Sequence, residues 1–254
     1  MVQSQLDSDL LDVLLDFGEA MMGSGAEIGR VEDSLSRMGH SYGAEDINVF
    51  VITSSIELTV RFHDGETLTR TRRIYSAGNN DFRKLARLNA LSRKCAVHTI
   101  PLGELQSELR QIQDKKIHCF RSYLGSLLAA AGFSVFFGGT LLDGVISGLA
   151  GLLICFIQLN TAKIMPNKVF FLFVCSFVMG SGICLTNLLI PSLHIDKIII
   201  GDIMLLIPGI AITTAVRDTL IGDTISGITR LADCLVWAAA LAAGIMSVIS
   251  LFAR

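Results

Sequence analysis

Apolar and polar residues follow one pattern in the first half of this chain and another in the second. Leu10, Leu11, Leu14, Leu15 and Phe17 recur at helical spacing and predict an amphipathic helix. A second helix is expected from Ser24-Gly-Ala-Glu27, which has the form of a capping box, with Val31, Leu35 and Met38 on one face and an end near Gly43. Residues 47–53 read as a strand. Ile56, Leu58, Val60 and Phe62 alternate with Glu57, Thr59 and Arg61, the pattern of a half-buried strand. Asp64-Gly65 then predicts a hairpin turn into a polar strand, residues 67–74. Arg70, Arg72 and Arg73 on that strand would guard a sheet edge, or meet anionic lipid or a partner. Phe82, Leu85, Leu88 and Leu91 mark a further helix, and Leu102, Leu105, Leu109 and Ile112 another after Pro101. The order ααβββαα predicts a small α+β domain over residues 1–115.

Over residues 116–254 the periodicity gives way to long apolar runs. The uncharged intervals are 122–142, 144–162, 169–195 and 234–253, each close to the roughly 20 residues that a membrane-crossing helix needs. A fifth span is expected from Ile198 to Val216, interrupted only by Asp202. The second half therefore reads as an all-α bundle of five transmembrane helices.

Charge sharpens this division. Residues 1–121 hold 15 of the 21 Lys and Arg and 17 of the 23 Asp and Glu, so one half suits water and the other lipid. The first twenty residues carry five acids and no base, the reverse of a secretory leader, so the soluble half is expected to stay in the cytoplasm. With that half inside, Lys115, Lys116, Arg121, Lys163, Lys168, Arg217 and Arg230 fall on the inner face and only Lys197 and Arg254 on the outer. Basic residues prefer the cytoplasmic side, which predicts an inside N-terminus and an outside C-terminus. The outer turns are expected near Leu142-Asp143-Gly144 and Pro191-Ser-Leu-His194.

A net charge of −2 argues against a nucleic-acid partner. The six cysteines form no Cys-x-x-Cys pair, and no metal cluster, cofactor motif or nucleophile–base pair is legible. No cofactor, metal or catalytic residue is therefore expected. Small residues are frequent in the spans, among them Gly144, Gly148, Gly151, Gly180, Gly182 and Gly244. They suit close helix packing within the bundle, an interface with a second membrane subunit, or a homo-oligomer.

Polar groups and helix breakers inside a bilayer mark pathways. Asp202 lies about one turn inside its expected span; it is either an interfacial acid paired with Lys197 or a protonatable group for proton coupling. Pro208-Gly209 frees backbone groups at mid-membrane, as a packing kink or as a broken helix facing a substrate. Thr213 and Thr214 could add hydroxyls, and Arg217 at the cytoplasmic mouth would attract a carboxylate or serve as a basic anchor. Asp218, Asp223 and Arg230 would pair to hold the following loop or meet a partner. Asn160 and Asn187 are expected to bond between helices. In the soluble half, Glu27 suits a capping box, Arg30 one turn on would pair with it, and Glu32 has no local explanation.

Gly25-Ala-Glu27 with Arg30-Val31-Glu32 resembles the motif that opens the cytoplasmic domain of the threonine/serine exporter family. The stretch Pro208-Gly209, Arg217-Asp218, Gly222-Asp223, Ser226-Gly227 and Arg230 resembles that family's second motif, and the layout resembles its YjjP type. One departure is Ile28-Gly29, where many members carry a Thr before the Arg. The resemblance implies a bacterial inner-membrane exporter of threonine, serine or a dicarboxylate such as succinate, driven by the proton gradient. It also implies a separate small membrane subunit of the YjjB type, because this chain holds one set of spans. Two other readings compete: a membrane-anchored enzyme or sensor acting through the soluble half, and a subunit that scaffolds a separate pore.

Overall fold

The computed structural model describes residues 2–63, 65–75, 80–114, 119–161, 165 and 167–252. Asp64, Lys115, Lys116, Lys163 and Arg254, which carry the hairpin turn and much of the orientation argument, lie outside the described residues. By contacts the chain forms two compact units: Met1–Lys115 with Ile210–Leu231, and Lys116–Gly209 with Ala232–Arg254.

In the first unit the elements run α1 (Val2–Gly23), α2 (Ile28–Ser41), β1 (Ala44–Ile52), β2 (Ser55–Phe62), β3 (Thr67–Arg73), α3 (Phe82–Val97) and α4 (Leu102–Gln113), the expected order. The strands form one antiparallel sheet with β2 in the centre. Val60 pairs with Ile47 and Leu68, and Leu58 with Val49 and Arg70. The alternation along β2 puts Ile56, Leu58, Val60 and Phe62 into a core with Leu11, Leu14, Phe17, Ile28, Leu35, Met38, Leu88 and Leu105. Burial of such side chains stabilises each by roughly 1.5–3 kcal/mol.

Arg70 and Arg72 of β3 turn out to serve α1, while Arg73 lies over the Tyr75 ring. Arg70 contacts Asp12 at 3.4 Å and Ser8 at 2.6 Å, while Arg72 reaches Asp16 at 2.7 Å and Glu19 at 3.1 Å. Asp12, Asp16 and Glu19 are spaced by one helical turn, so a single face of α1 meets the edge strand. The capping box at Ser24 does not form. Ser24 Oγ donates to Ala20 O at 2.7 Å, ending α1, and Glu27 is the N-cap residue of α2 without a side-chain cap. Gly25 between them has φ of +88°, the left-handed region where a side chain is strained.

The second unit contains α5 (Cys119–Phe136), α6 (Leu141–Thr161), α7 (Lys168–Leu189) and α8 (Ile195–Ile203), and most of α10 (Thr224–Phe252). α5, α6, α7 and α10 are long and apolar enough to cross a membrane. The expected fifth span is not one helix. It divides into α8 in this unit and α9 (Gly209–Leu220), which from Ile210 on belongs to the first unit. Residues 204–208 wind in tight turns, with Leu206 N–H donating to Ile203 O at 2.8 Å. Pro208 brings no N–H and clashes with a preceding turn, so the helix stops before it. At 1.5 Å per residue α8 is roughly 13 Å long and α9 roughly 18 Å, each short of the ~30 Å hydrocarbon core.

Most of the small residues are used inside the bundle. A Cβ at Gly144 would meet Val135 at 2.9 Å, one at Gly151 would meet Ser126 O at 2.8 Å, and one at Gly244 would crowd Ser176. Gly182 faces open space, in an apolar groove between α6 and α7 lined by Ala150, Leu153, Met179 and Thr186. Asn160 bonds its own helix, Nδ2 donating to Phe156 O at 2.8 Å, rather than a neighbour.

Candidate functional site

Each unit gathers its own set of polar groups. In the second unit the centre is Asp202, in the last turn of α8. The helix begins at Ile195, so Asp202 lies about two turns in, roughly 10 Å, and its residue is 0 % exposed. Two expectations are thereby corrected. Asp202 is not a lipid-solvated interfacial acid, and Lys197 pairs instead with Asp196 at 3.1 Å. The charge pattern missed this depth because it set the span to begin at Ile198, after Lys197, whereas three residues of the helix precede that point.

What buries Asp202 is a close approach of α8 to α5. A Cβ at the adjacent Gly201 would lie 2.8 Å from Ser134 N and 2.9 Å from Ala130 O. Only glycine allows those backbones to meet there. On the other side α6 brings Ser147, whose Oγ lies 3.2 Å from Asp202 Oδ1 and 2.9 Å from Ala130 O. A hydroxyl has one proton to donate. If Ser147 gives it to the Ala130 carbonyl, the contact with Asp202 needs a proton from the carboxyl. Asp202 Oδ2 and Ser134 Oγ are buried with no hydrogen-bond partner among the described residues.

A second acid of this unit escaped the sequence reading. Asp143, 0 % exposed, lies in the first turn of α6 rather than in a loop. Its Oδ2 accepts from Thr140 N at 2.7 Å and Thr140 Oγ1 at 2.8 Å, and its Oδ1 accepts from His194 N at 3.0 Å. His194 Nδ1 lies 2.9 Å from Oδ2. The spacing Thr140-x-x-Asp143 has the form of a capping box and was the available signal. Its partner, 51 residues away, was not legible.

In the first unit the two separated motifs meet. Arg217 Nη1 donates to Glu27 Oε1 at 2.5 Å, across 190 positions of sequence. Arg30, the partner expected for Glu27, is exposed and forms no ion pair among the described residues. A Cβ at Gly29 would touch Ile221 at 3.9 Å, so α2 packs on the end of α9. Asp218, fully buried, lies 3.4 Å from Arg230 Nη1, and its carbonyl accepts from Asp223 N at 2.9 Å. The expected Asp218–Arg230 pair therefore forms, with Asp223 held through backbone.

Glu32 now has a local explanation. Its Oε1 accepts from Val51 N at 3.1 Å, satisfying an edge donor of β1. Burial pushes the Glu32 carboxyl above its ordinary range, the Val51 bond lowers it, and the nearby charge of Asp223 raises it further. Glu32 also lines an open cleft between α2 and β1 with Gly29, Asp33, Ser36 and Asp46. Glu27 and Glu32 thus meet different partners, the Arg217 side chain and the Val51 amide.

Pro208 and Gly209 stand at the break between α8 and α9. Thr214 Oγ1 bonds back to Ile210 O at 2.9 Å within α9, and Thr213 is exposed on the same helix. The exposed Arg217 lies one turn further.

The ThrE family model, whose description reads "Putative threonine/serine exporter", matches residues 12–252. No curated protein and no solved structure matches the chain.

Proposed function

The chain belongs to the ThrE exporter family, and from that premise we propose that it exports small carboxylate-bearing metabolites across the bacterial inner membrane, driven by the proton gradient. It is a multi-pass membrane protein by its apolar helices and its family. The substrates of this proposal are threonine, serine or a dicarboxylate such as succinate. The soluble half faces the cytoplasm, and a small YjjB-like membrane subunit completes the pathway.

One observation carries the coupling: Asp202, a fully buried carboxyl with one side-chain hydrogen bond and one unpartnered oxygen. An ionised carboxylate in such surroundings is costly, by several kcal/mol. The last turn of α8 adds unfavourable partial negative charge from its carbonyls. The protonated group suits the structure described above, with its proton bridging to Ser147. Loss of that proton creates a buried anion, and relief of that cost supplies the drive for a conformational change. The broken helix at Pro208 offers a place for it, since the α-helical ladder gives way to tight turns over residues 204–207.

At the other centre Arg217 recognises the substrate carboxylate. Its guanidinium already holds a carboxylate, that of Glu27, through a single nitrogen. A substrate carboxylate would compete with Glu27 for the same fork, and bidentate pairing favours the exchange. Displacing Glu27 frees α2 from α9 and couples loading to the soluble half. Asp218, Asp223 and Arg230 brace the segment that carries Arg217.

Inverted membrane vesicles from cells expressing the chain, with and without the small subunit, test this reading. Labelled threonine, serine and succinate are offered in the bath, and uptake is followed with the proton gradient intact or collapsed. Gradient-dependent uptake of at least one is expected. Uptake of none, or uptake indifferent to the gradient, overturns the proposal.

A further inference from the structure

Asp143 and Ser147 stand one turn apart on α6 and face the same neighbour. Asp143 holds His194, at the start of α8, and Ser147 holds Asp202, at its end. These contacts draw a polar seam along two apolar helices, and Ser134 of α5 lies beside it. A Cβ at Gly139 would sit 3.1 Å from Ser134 Oγ and 3.2 Å from Asp143 Cβ. A Cβ at Gly201, next to Asp202, would sit 2.9 Å from Ser134 Cβ. Ser134 therefore stands between the two acids, with its hydroxyl buried and unpartnered, as is Asp202 Oδ2. Buried polar atoms without partners cost about 1–3 kcal/mol each, so two of them between two buried acids call for an occupant.

The acids differ in their surroundings. Asp143 is in contact with four hydrogen-bonding groups, from Thr140 and His194. Asp202 has one such bond from a side chain. The His194 side chain is 54 % exposed, and its Nε2 has no partner among the described residues. The imidazole is thus held through Nδ1 by a buried carboxyl while half of the side chain stays open to solvent.

We propose that His194, oriented by Asp143, takes up protons at the α5–α6 end of the bundle and delivers them to Asp202 past the hydroxyls of Ser134 and Ser147. The inference rests on the proton-coupled reading above and adds its entry path. Each step is a proton transfer. Imidazolium His194 gives up one proton to a water at the seam. Ser134, which can accept and donate at once, passes one on, and Oδ2 of ionised Asp202 takes it. His194 returns to neutral, and Asp202 becomes neutral. The ionisable groups facing His194 are Asp143 from α6 and Asp196 and Lys197 from α8, the last two paired with each other. α7 carries Cys184 in its C-terminal part, and Arg121, the charged residue of α5, stands in that helix's first turn, at the opposite end from the α5–α6 connection.

The test is uptake into inverted vesicles at two lumenal values, about pH 5.5 and about pH 7.5, either side of the ordinary histidine range, with the pH difference across the membrane held constant. His194→Asn keeps an N–H donor where Nδ1 stands, so the bond to Asp143 and the fold survive. Its uptake is expected to fall on the order of tenfold or more at the higher value, where protons are scarce, and to approach the unmodified rate at the lower. An equal loss at both values means a structural role only and overturns the path, as does no loss at either. Asp202→Asn separates the two ideas. If it is inactive while His194→Asn behaves as unmodified, only the path fails; if Asp202→Asn transports normally, the proton-coupled reading fails with it.

Discussion

Substituting Gly201 by Ala adds one methyl at the tightest point of the α8–α5 contact. The new Cβ would stand 2.8 Å from Ser134 N, where ordinary contact begins at 3.4 Å. The obstacles are backbone atoms of α5 rather than flexible side-chain ends, so α8 must retreat by about 0.6 Å. Overpacking of this kind costs about 1–3 kcal/mol. For a chain of this size 1 kcal/mol corresponds to roughly 2–4 °C in melting temperature, which gives a loss of about 2–12 °C. The same displacement of α8 disturbs the 3.2 Å contact between Ser147 and Asp202, whose geometry depends on where α8 sits. Transport should therefore drop along with stability. The assay is thermal unfolding in detergent followed through Trp237, the one tryptophan of the chain and a member of the same unit. Gly182→Ala is the control, because a Cβ there meets nothing within 4 Å. Gly201→Ala melting and transporting like the unmodified chain, with the control, would refute the close approach and the burial of Asp202 that depends on it.

Three further outcomes follow from the first unit. Glu27→Arg and Arg217→Glu are each expected to abolish export while shifting stability by only about 0.2–1 kcal/mol, since the pair is partly exposed; the double exchange should restore the contact between α2 and α9 but not substrate binding, measured by proteolysis and flux respectively. Glu32 is held above its ordinary 4.5, so it binds its proton more tightly when folded. The stability it adds is complete below the unfolded value and is lost as pH rises through the folded one. Glu32→Gln keeps an acceptor for Val51 N–H, and its stability relative to the unmodified chain should grow as pH rises through that window; a pH-independent difference in denaturant midpoint counts against the assignment. Arg230→Ala leaves buried Asp218 without its cation and should destabilise by about 3–5 kcal/mol, and Asp218→Asn in the same chain should recover most of that in a melting experiment.

The parts of this fold that depend on local pattern were legible in the chain. Alternation along Ile56, Leu58, Val60 and Phe62 placed β2, and the absent N–H of Pro208 placed the break between α8 and α9. Where a feature depends on what the chain folds against, local pattern misled or was silent. Glu27 looked like a capping acid but is taken by Arg217, 190 positions away. Arg70 and Arg72 looked like edge guards, yet the acids of α1 supply their partners. Asp202 looked shallow because charge sets a hydropathy boundary, whereas helix geometry and the neighbouring Gly201 set its burial. The break itself shows both sides: its position was local chemistry, and the division of the expected fifth span between two units was not.

The central claim is that Asp202 binds and releases the proton that drives export. Its most direct test is lumenal pH in inverted vesicles, read with an internal dye while threonine, serine or succinate is added to a bath without an imposed gradient. Entry of a transported substrate should draw protons out of the lumen and raise its pH in the unmodified chain, with no such change for Asp202→Asn. A substrate-dependent rise of equal size in Asp202→Asn would contradict the account.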